Sequence, residues 1–210
     1  MRLKLFAILA CAGACFAQNK WEFGGVIGYG AYHNGSVITT AGTADAGIRN
    51  RFAASAIIGE DMYSHIGGEV RYLYHDGDPF AESGGTKANI QGQSHAFHYN
   101  LLLYAFDREA RIRPYAAAGA GAKYYETTGP APNPQPLRTI VSLAPANEWK
   151  ALGTFGGGVK LRVTDHVLVR GEFLDYITPF PKKLFIPAPN GTDRGILHTF
   201  TPMFGLSYSF

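Results

Sequence analysis

The sequence predicts an all-β protein, an eight-stranded antiparallel up-and-down barrel that crosses a membrane with a polar interior. Three observations carry this reading. Apolar residues recur at every second position in eight separate runs, which is the period of a strand and not of a helix. The connections between the runs alternate short and long, and fixed charges gather on the parity opposite the aliphatic and aromatic residues. A chain of 210 residues, 46% hydrophobic and 13% aromatic with a net charge of +3, suffices for one barrel and lacks the low hydrophobicity and high charge of a disordered chain.

Residues 1–17 read as a signal peptide. Arg2 and Lys4 form a basic start, Leu5 to Ala14 an apolar run, and Cys15-Phe16-Ala17 places small residues at the cleavage point, leaving 18–210 as the barrel domain. The run falls short of the roughly 20 apolar residues of a spanning helix. A lipoprotein reading of Cys11 or Cys15 fits poorly, since the first leaves a very short apolar region and the second has Ala12 where a lipobox prefers Leu. Cleavage removes both cysteines of the chain, so disulfide scaffolds, zinc–thiolate sites and cysteine nucleophiles are excluded from the mature protein. Loss of Arg2 and Lys4 from 19 bases leaves 17 against 16 acids, a balance that makes no case for nucleic acid.

The first strand, from Lys20, sets Trp21, Phe23, Ile27 and Tyr29 against Glu22, Gly24, Val26 and Gly28. The second, 48–59, sets Phe52, Ala54, Ala56 and Ile58 against Arg49, Arg51 and Ser55. In 65–76, Ile66, Val70, Tyr72 and Tyr74 oppose Glu69, Arg71 and His75, and in 95–105 Phe97, Tyr99, Leu101 and Leu103 oppose His98, Asn100 and Tyr104. The fifth run, 112–125, is so rich in Ala and Gly that its two parities look alike and its facing stays open. Residues 149–163 set Phe155, Val159, Leu161 and Val163 against Thr154, Lys160 and Arg162, and 167–177 set Val167, Val169, Phe173 and Ile177 against Arg170 and Glu172. The last run alternates from Ile196 to Phe210. Connections near 60–64, 107–111 and 164–166 are tight, whereas those near 32–47, 77–94, 127–148 and 178–195 run to roughly 15 to 22 residues. Three short turns at one end and four long loops at the other are the layout of a membrane barrel with periplasmic turns and external loops.

Energetics then decides which face is inside. A lipocalin-like soluble barrel would turn the charges outward, but in a bilayer each Arg or Lys near the midplane of the lipid face costs roughly 2–4 kcal/mol. Three or four of them would consume a typical net stability of about 5–15 kcal/mol. The polar parity is therefore assigned to the lumen, with Glu22, Glu69 and Glu172 among Arg49, Arg51, Arg71, Lys123, Lys160, Arg162 and Arg170. Buried charges persist when paired, and eight strands leave an interior that side chains fill. We expect an ion network of Glu69, Arg71, Lys160, Arg162, Arg170 and Glu172 that plugs the barrel. The surplus bases Arg49 and Arg51 are expected at the external rim, in solvent or against anionic lipid headgroups.

These features resemble the small eight-stranded outer-membrane β-barrels: the transmembrane domain of outer membrane protein A, outer membrane protein X and the opacity-type adhesins. The carrying motif is the C-terminus, where Pro202, Phe204, Leu206, Tyr208 and terminal Phe210 occupy alternate places, and Arg113-Pro114-Tyr115 followed by Ala-Gly repeats through Lys123-Tyr124-Tyr125 looks like the fifth strand of such barrels. The resemblance implies location in the cell outer membrane of a Gram-negative-type bacterium and contact with outer-membrane lipids and lipopolysaccharide. It also implies recognition of Phe204, Leu206, Tyr208 and Phe210 by the barrel-assembly machinery, and a monomer. The chain ends at the barrel's final Phe, so a stand-alone, porin-like barrel is expected in place of a peptidoglycan tether.

Candidate chemistry is sparse. Some barrels of this kind modify lipid A, and the deacylases among them pair His-x-Ser with a carboxylate. Here His198-Thr199-Phe200 has no usable hydroxyl at the third place, and His95-Ala96-Phe97-His98 fails likewise. His75, Asp76, Asp78, His95 and His98 near one strand end could hold a divalent cation, but solvated rim residues explain them better. Gly24 to Gly30 and Gly156 to Gly158 precede no helix and are not phosphate loops. The expectation is no catalytic residue, no cofactor and no metal, with a lipid A-modifying enzyme as the alternative. Specificity is left to the long loops. Pro130, Pro132, Pro134, Pro136, Pro179, Pro181, Pro187 and Pro189 predict stiff extended segments without a core, able to meet an external partner, with Lys182 and Lys183 as further headgroup contacts.

Overall fold

The computed structural model describes residues 20–210, so the signal segment 1–17 lies outside the described residues. The described strands are β1 (Lys20–His33), β2 (Gly35–Thr39), β3 (Gly42–Ile48), β4 (Arg51–Asp61), β5 (Ile66–Asp76), β6 (Pro79–Ser83), β7 (Thr86–Asn89), β8 (Gly92–Tyr104), β9 (Ile112–Thr127), β10 (Val141–Leu143), β11 (Asn147–Arg162), β12 (Val167–Pro179), β13 (Phe185–Pro187), β14 (Thr192–Arg194) and β15 (Ile196–Ser209). Eight of them close a barrel in the order β1-β15-β12-β11-β9-β8-β5-β4, every pair antiparallel. These are the eight runs of the sequence pattern. Each is joined to the next along the chain, and the last returns to pair with the first.

Alternation sets the two faces. Ile27, Phe155 and Phe204 point outward at 60% exposure or more, whereas Glu69, Arg71, Lys123 and Arg170 are buried at 1% or less inside. A wall showing so much apolar surface along every strand needs a lipid surround, because soluble proteins do not leave contiguous patches of this extent in water. Tyr124 packs on Trp149 with ring centroids 4.9 Å apart near the external end of the wall, as an interfacial aromatic pair would.

The fifth run, ambiguous by parity, is settled by the structure. Arg113, Tyr115, Lys123 and Tyr125 of β9 face inward, and Ala116 and Ala118 face outward. Its inward glycine has a definite reason: a Cβ on Gly119 would lie 2.1 Å from Asn100 Oδ1 and 2.7 Å from Thr154 Oγ1, which meet across it. The inward-facing Gly158 of β11 likewise leaves room for the Tyr115 hydroxyl, 2.7 Å from where its Cβ would be.

The long loops correct the sequence reading. They are not coreless polyproline segments but carry strands of their own, a five-stranded sheet ordered β14-β2-β3-β6-β7 and the ribbon β10-β13. Val37, Ala44, Ala46, Ala81, Ile90, Leu137, Val141, Leu143, Phe180, Leu184 and Phe185 from all four loops form one hydrophobic core with Tyr32 and Tyr125 of the barrel strands. These strands run three to seven residues. That is too short for a period to show, and each loop contributes too few apolar residues to announce a core by itself. The result is a folded external cap on the barrel mouth.

Candidate functional site

The lumen is filled by charge in layers. In the central layer the Arg71 guanidinium donates from Nε to Glu69 Oε1 at 2.6 Å and from its two terminal nitrogens to Glu172 at 2.5 Å each. The fork geometry makes the second contact bidentate, the strongest arrangement available to this pair. Arg170 donates to Glu22 Oε1 at 3.1 Å, Glu69 Oε2 at 2.9 Å and Glu172 Oε2 at 3.1 Å. Lys160 Nζ donates to Glu22 Oε2 and, at 2.8 Å, to the Tyr104 hydroxyl. The Tyr115 hydroxyl accepts from Arg170 at 3.0 Å and donates to Glu172 Oε2 at 2.7 Å. Asn100 Nδ2 donates to Glu69 Oε1 at 3.3 Å, while its Oδ1 accepts from Thr154 at 2.5 Å. Three carboxylates thus meet three bases drawn from β1, β5, β11 and β12, and pairing of opposite charges supported by hydrogen bonds is the condition under which buried charge is tolerated.

Toward the tight turns a second layer follows. Arg113 donates to Asp61 Oδ2 at 2.7 Å, with its guanidinium carbon 3.7 Å from the centre of the Tyr104 ring, and Arg108 donates to the Asp61 carbonyl at 2.5 Å. Arg162 belongs here and not in the central network: it donates to the Arg108 carbonyl at 2.5 Å. Its parity is that of Lys160, but two residues further along the strand it has passed the carboxylate layer and reached the rim. Glu22, by contrast, is a full member of the network that strand parity placed in the lumen without assigning it a partner. Tyr104, Tyr115 and Asn100 were missed as members because neutral side chains carry no charge signal.

Comparison with solved structures places this architecture. Neisserial surface protein A superposes with a TM-score of 0.53 at 10% identity, over 91% of this chain and 97% of that one. OprG of Pseudomonas aeruginosa gives 0.53 at 14% identity, over 91% and 95%. The chain has the fold of a small outer-membrane β-barrel. The outer-membrane protease OmpT of Escherichia coli is also similar, at a TM-score of 0.48, 12% identity and coverage of 90% and 97%. No protein-family model and no curated protein sequence matches the chain.

In this barrel the C-terminal residues Phe204, Leu206, Tyr208 and Phe210 all point outward on β15 and just beyond it, between 44% and 65% exposed. Phe210 packs edge-on to Phe23 at 5.7 Å, and its amide donates to the Trp21 carbonyl at 2.9 Å, sealing the seam between last and first strands. Of the candidate headgroup contacts, Arg51 sits at the external rim but is paired, to Asp76 at 3.3 Å and Asp78 at 2.5 Å. Arg49 is exposed, 5.1 Å over the Phe80 ring, and with Arg51, Asn34, Asn50 and Phe80 it borders a surface hollow. Lys182 and Lys183 are exposed on the cap, where the Lys183 amide donates to Glu148 at 3.1 Å.

The structure separates the five candidate cation ligands. His75 and His98 are buried in the lumen, and Asp76 and Asp78 hold Arg51. His95 is on the outer wall, with Nδ1 2.7 Å from the Tyr72 hydroxyl. No group of three or more His, Cys, Asp or Glu among the described residues is arranged to hold a metal. One pair escaped the sequence reading: His198 Nδ1 lies 2.7 Å from Asp175 Oδ2 on the lipid side of the wall. These residues are 23 positions apart on neighbouring strands, and only the diagonal of the register joins them.

Proposed function

We propose that this chain is a closed, non-catalytic barrel of the outer membrane that serves as a wall element and presents its folded cap as a surface for external partners. The observation that carries the reading is the double obstruction of the lumen: a charge-balanced network of three carboxylates and three bases across its middle and a cap with its own hydrophobic core over its external mouth. Buried Glu69, Arg71, Lys160 and Arg170 side chains occupy the lumen, and a small barrel is expected to fill in this way. Lipids and lipopolysaccharide surround the wall, Arg49, Lys182 and Lys183 supply cationic contacts toward headgroups, and the outward row ending in Phe210 is the element presented to the assembly machinery. Planar-bilayer recordings of the purified protein are expected to show no large, stable conductance. A steady open pore at low voltage would overturn the closed reading.

The His198–Asp175 pair favours a second reading, a lipid A-modifying enzyme, because a carboxylate-oriented imidazole on the lipid side is half of a general-base device. The neighbouring Thr199 does not complete it as a nucleophile, because it is buried in the lumen and points the other way. Lipid A mass profiles from cells with and without the protein are expected to coincide. A difference in acyl chains that His198→Ala abolishes would establish the enzyme.

A further inference from the structure

Where the cap meets the barrel wall, the rim carries a hollow of about 350 Å³ bordered by Asn34, Ile48, Arg49, Asn50, Arg51 and Phe80. It lies just above the lipid-facing surface: Tyr29, outward on β1 and 49% exposed, donates its hydroxyl to the Asn50 carbonyl at 3.2 Å. Local packing builds the hollow. Asn34 follows the last residue of β1, and its side chain lies across β3 because position 47 is glycine: a Cβ there would fall 1.9 Å from Asn34 Oδ1. Gly47 pairs with Phe80 of β6, which brings the aromatic ring to the same place. Arg49 sets its guanidinium carbon 5.1 Å from the centre of that ring, a contact that holds the cation without neutralising it.

Hydrogen bonding fixes what the hollow offers. Asn34 Oδ1 accepts from the Ile48 amide at 2.8 Å, and Asn50 Oδ1 accepts from the Tyr32 amide at 2.8 Å. A backbone N–H can meet only the oxygen of such a group, so both side chains are oriented, and their Nδ2 donors have no partner among the described residues. Arg51 is committed to Asp76 and Asp78, and Glu82, further along β6 from Phe80, holds Lys87 at 3.0 Å. Asp45 of β3 is exposed and does not border the hollow. Arg49 is therefore the bordering base without an acid among the described residues. Its planar fork matches one carboxylate in a bidentate contact, and one free positive charge suits a monoanion better than a phosphomonoester of about −2. The two amides call for neutral oxygens beside that carboxylate, and a carboxylate surrounded by hydroxyls is a sugar acid. A peptide is served less well, because β3 is paired on both edges, to β2 and β6, and leaves no strand there to extend.

We propose that this hollow binds one sugar acid, a pyranose bearing a carboxylate, with the carboxylate on the Arg49 guanidinium and the sugar oxygens on the Nδ2 donors of Asn34 and Asn50. The site gives a ligand to the external surface of the function proposed above and rests on that reading for facing outward. Closure of the lumen does not enter it, so a conducting barrel would leave the site standing.

The test is a titration of the isotope-labelled protein in detergent micelles, read from the side-chain amide resonances of Asn34 and Asn50. Methyl glucuronide in solution and dodecyl glucuronide in the micelle carry the acid; the matching glucosides, inorganic phosphate and N-acetylaspartate are the comparators. Saturable shifts are expected with a glucuronide at a concentration at least about tenfold below that of any comparator, the worth of one charged hydrogen bond. Saturation by both glucuronides supports the site with a free saccharide as its source, and saturation by the dodecyl form alone supports it with a glycolipid headgroup as its source. Arg49→Gln is expected to raise the half-saturating concentration about tenfold, and Arg49→Lys, which keeps the charge without the fork, several-fold. Arg49 is exposed, so both variants are expected to fold, with unchanged heat-modifiable gel migration as the check. No response to either glucuronide, an equal response to a glucoside, phosphate or N-acetylaspartate, or undiminished binding in Arg49→Gln would each overturn the site.

Discussion

The barrel section and the external cap are built from the same kind of strand and turned inside out with respect to each other. The cap buries Val37, Ala46, Leu143 and Phe185 at 1% exposure or less. The barrel buries Glu69, Arg71 and Arg170 to the same degree and leaves Ile27 and Phe204 at about 60%. Alternation alone establishes that a strand has two faces; the medium around it establishes which face is the interior. In water the apolar face withdraws, and in lipid the charged face withdraws because nothing in hydrocarbon can solvate it.

The sharpest way to break this contrast is to treat the barrel as though its interior were a hydrophobic core. Arg71→Met leaves Glu69 and Glu172 buried without their main partner, and removing one member of a buried pair costs about 3–5 kcal/mol. Urea unfolding in lipid vesicles is expected to show a loss of that size. Adding Glu172→Gln should recover part of it, since the second change removes the stranded charge. A smaller loss is expected when charge is moved to the other face: Ile27→Arg, near the middle of β1 on the outer wall, should cost about 2–4 kcal/mol in vesicles. Equal stability of this variant and the wild type would mean that the wall does not face lipid.

The two regions also differed in how well the sequence disclosed them. The eight barrel strands are 11 to 16 residues long, long enough for a period of two to show, and their charges separate by parity. Parity reports a face and not a depth, which is why Arg162 was grouped with Lys160 although it bonds at the rim. It also falls silent where both faces are small, as in β9, whose inward Gly119 answers to side chains on two other strands. The cap was hidden for the same reason on a larger scale. Its core is pooled from four loops, and no one of them alternates for long enough to be read.

The cap offers the next test. Val37→Ala removes two buried methyl groups at a site with no exposure, worth about 2 kcal/mol from lost burial and the cavity left behind. The effect is expected to stay local, with faster proteolysis of the external loops and unchanged heat-modifiable gel migration of the barrel. Loss of that migration would show that cap and barrel unfold as one unit.

The smallest effect belongs to a charge pair of the same chemistry as the central network but at the boundary between the two regions. Arg51 holds Asp76 at 3.3 Å and Asp78 at 2.5 Å, yet its side chain is 44% exposed, against 0% for Arg71. Water solvates the guanidinium when the pair opens, and when the arginine is removed Asp76 is solvated at 36% side-chain exposure while Asp78, at 9%, keeps the Gly92 amide as a donor. Arg51→Ala is therefore expected to cost no more than about 1 kcal/mol in vesicle unfolding, and less at high salt, where exposed charges are screened. Set beside Arg71→Met, the pair of measurements isolates burial as the variable. If Arg51→Ala proved as costly as Arg71→Met, the difference between lumen and rim would lie in geometry, and the ordering of interior and exterior by solvent would need another basis.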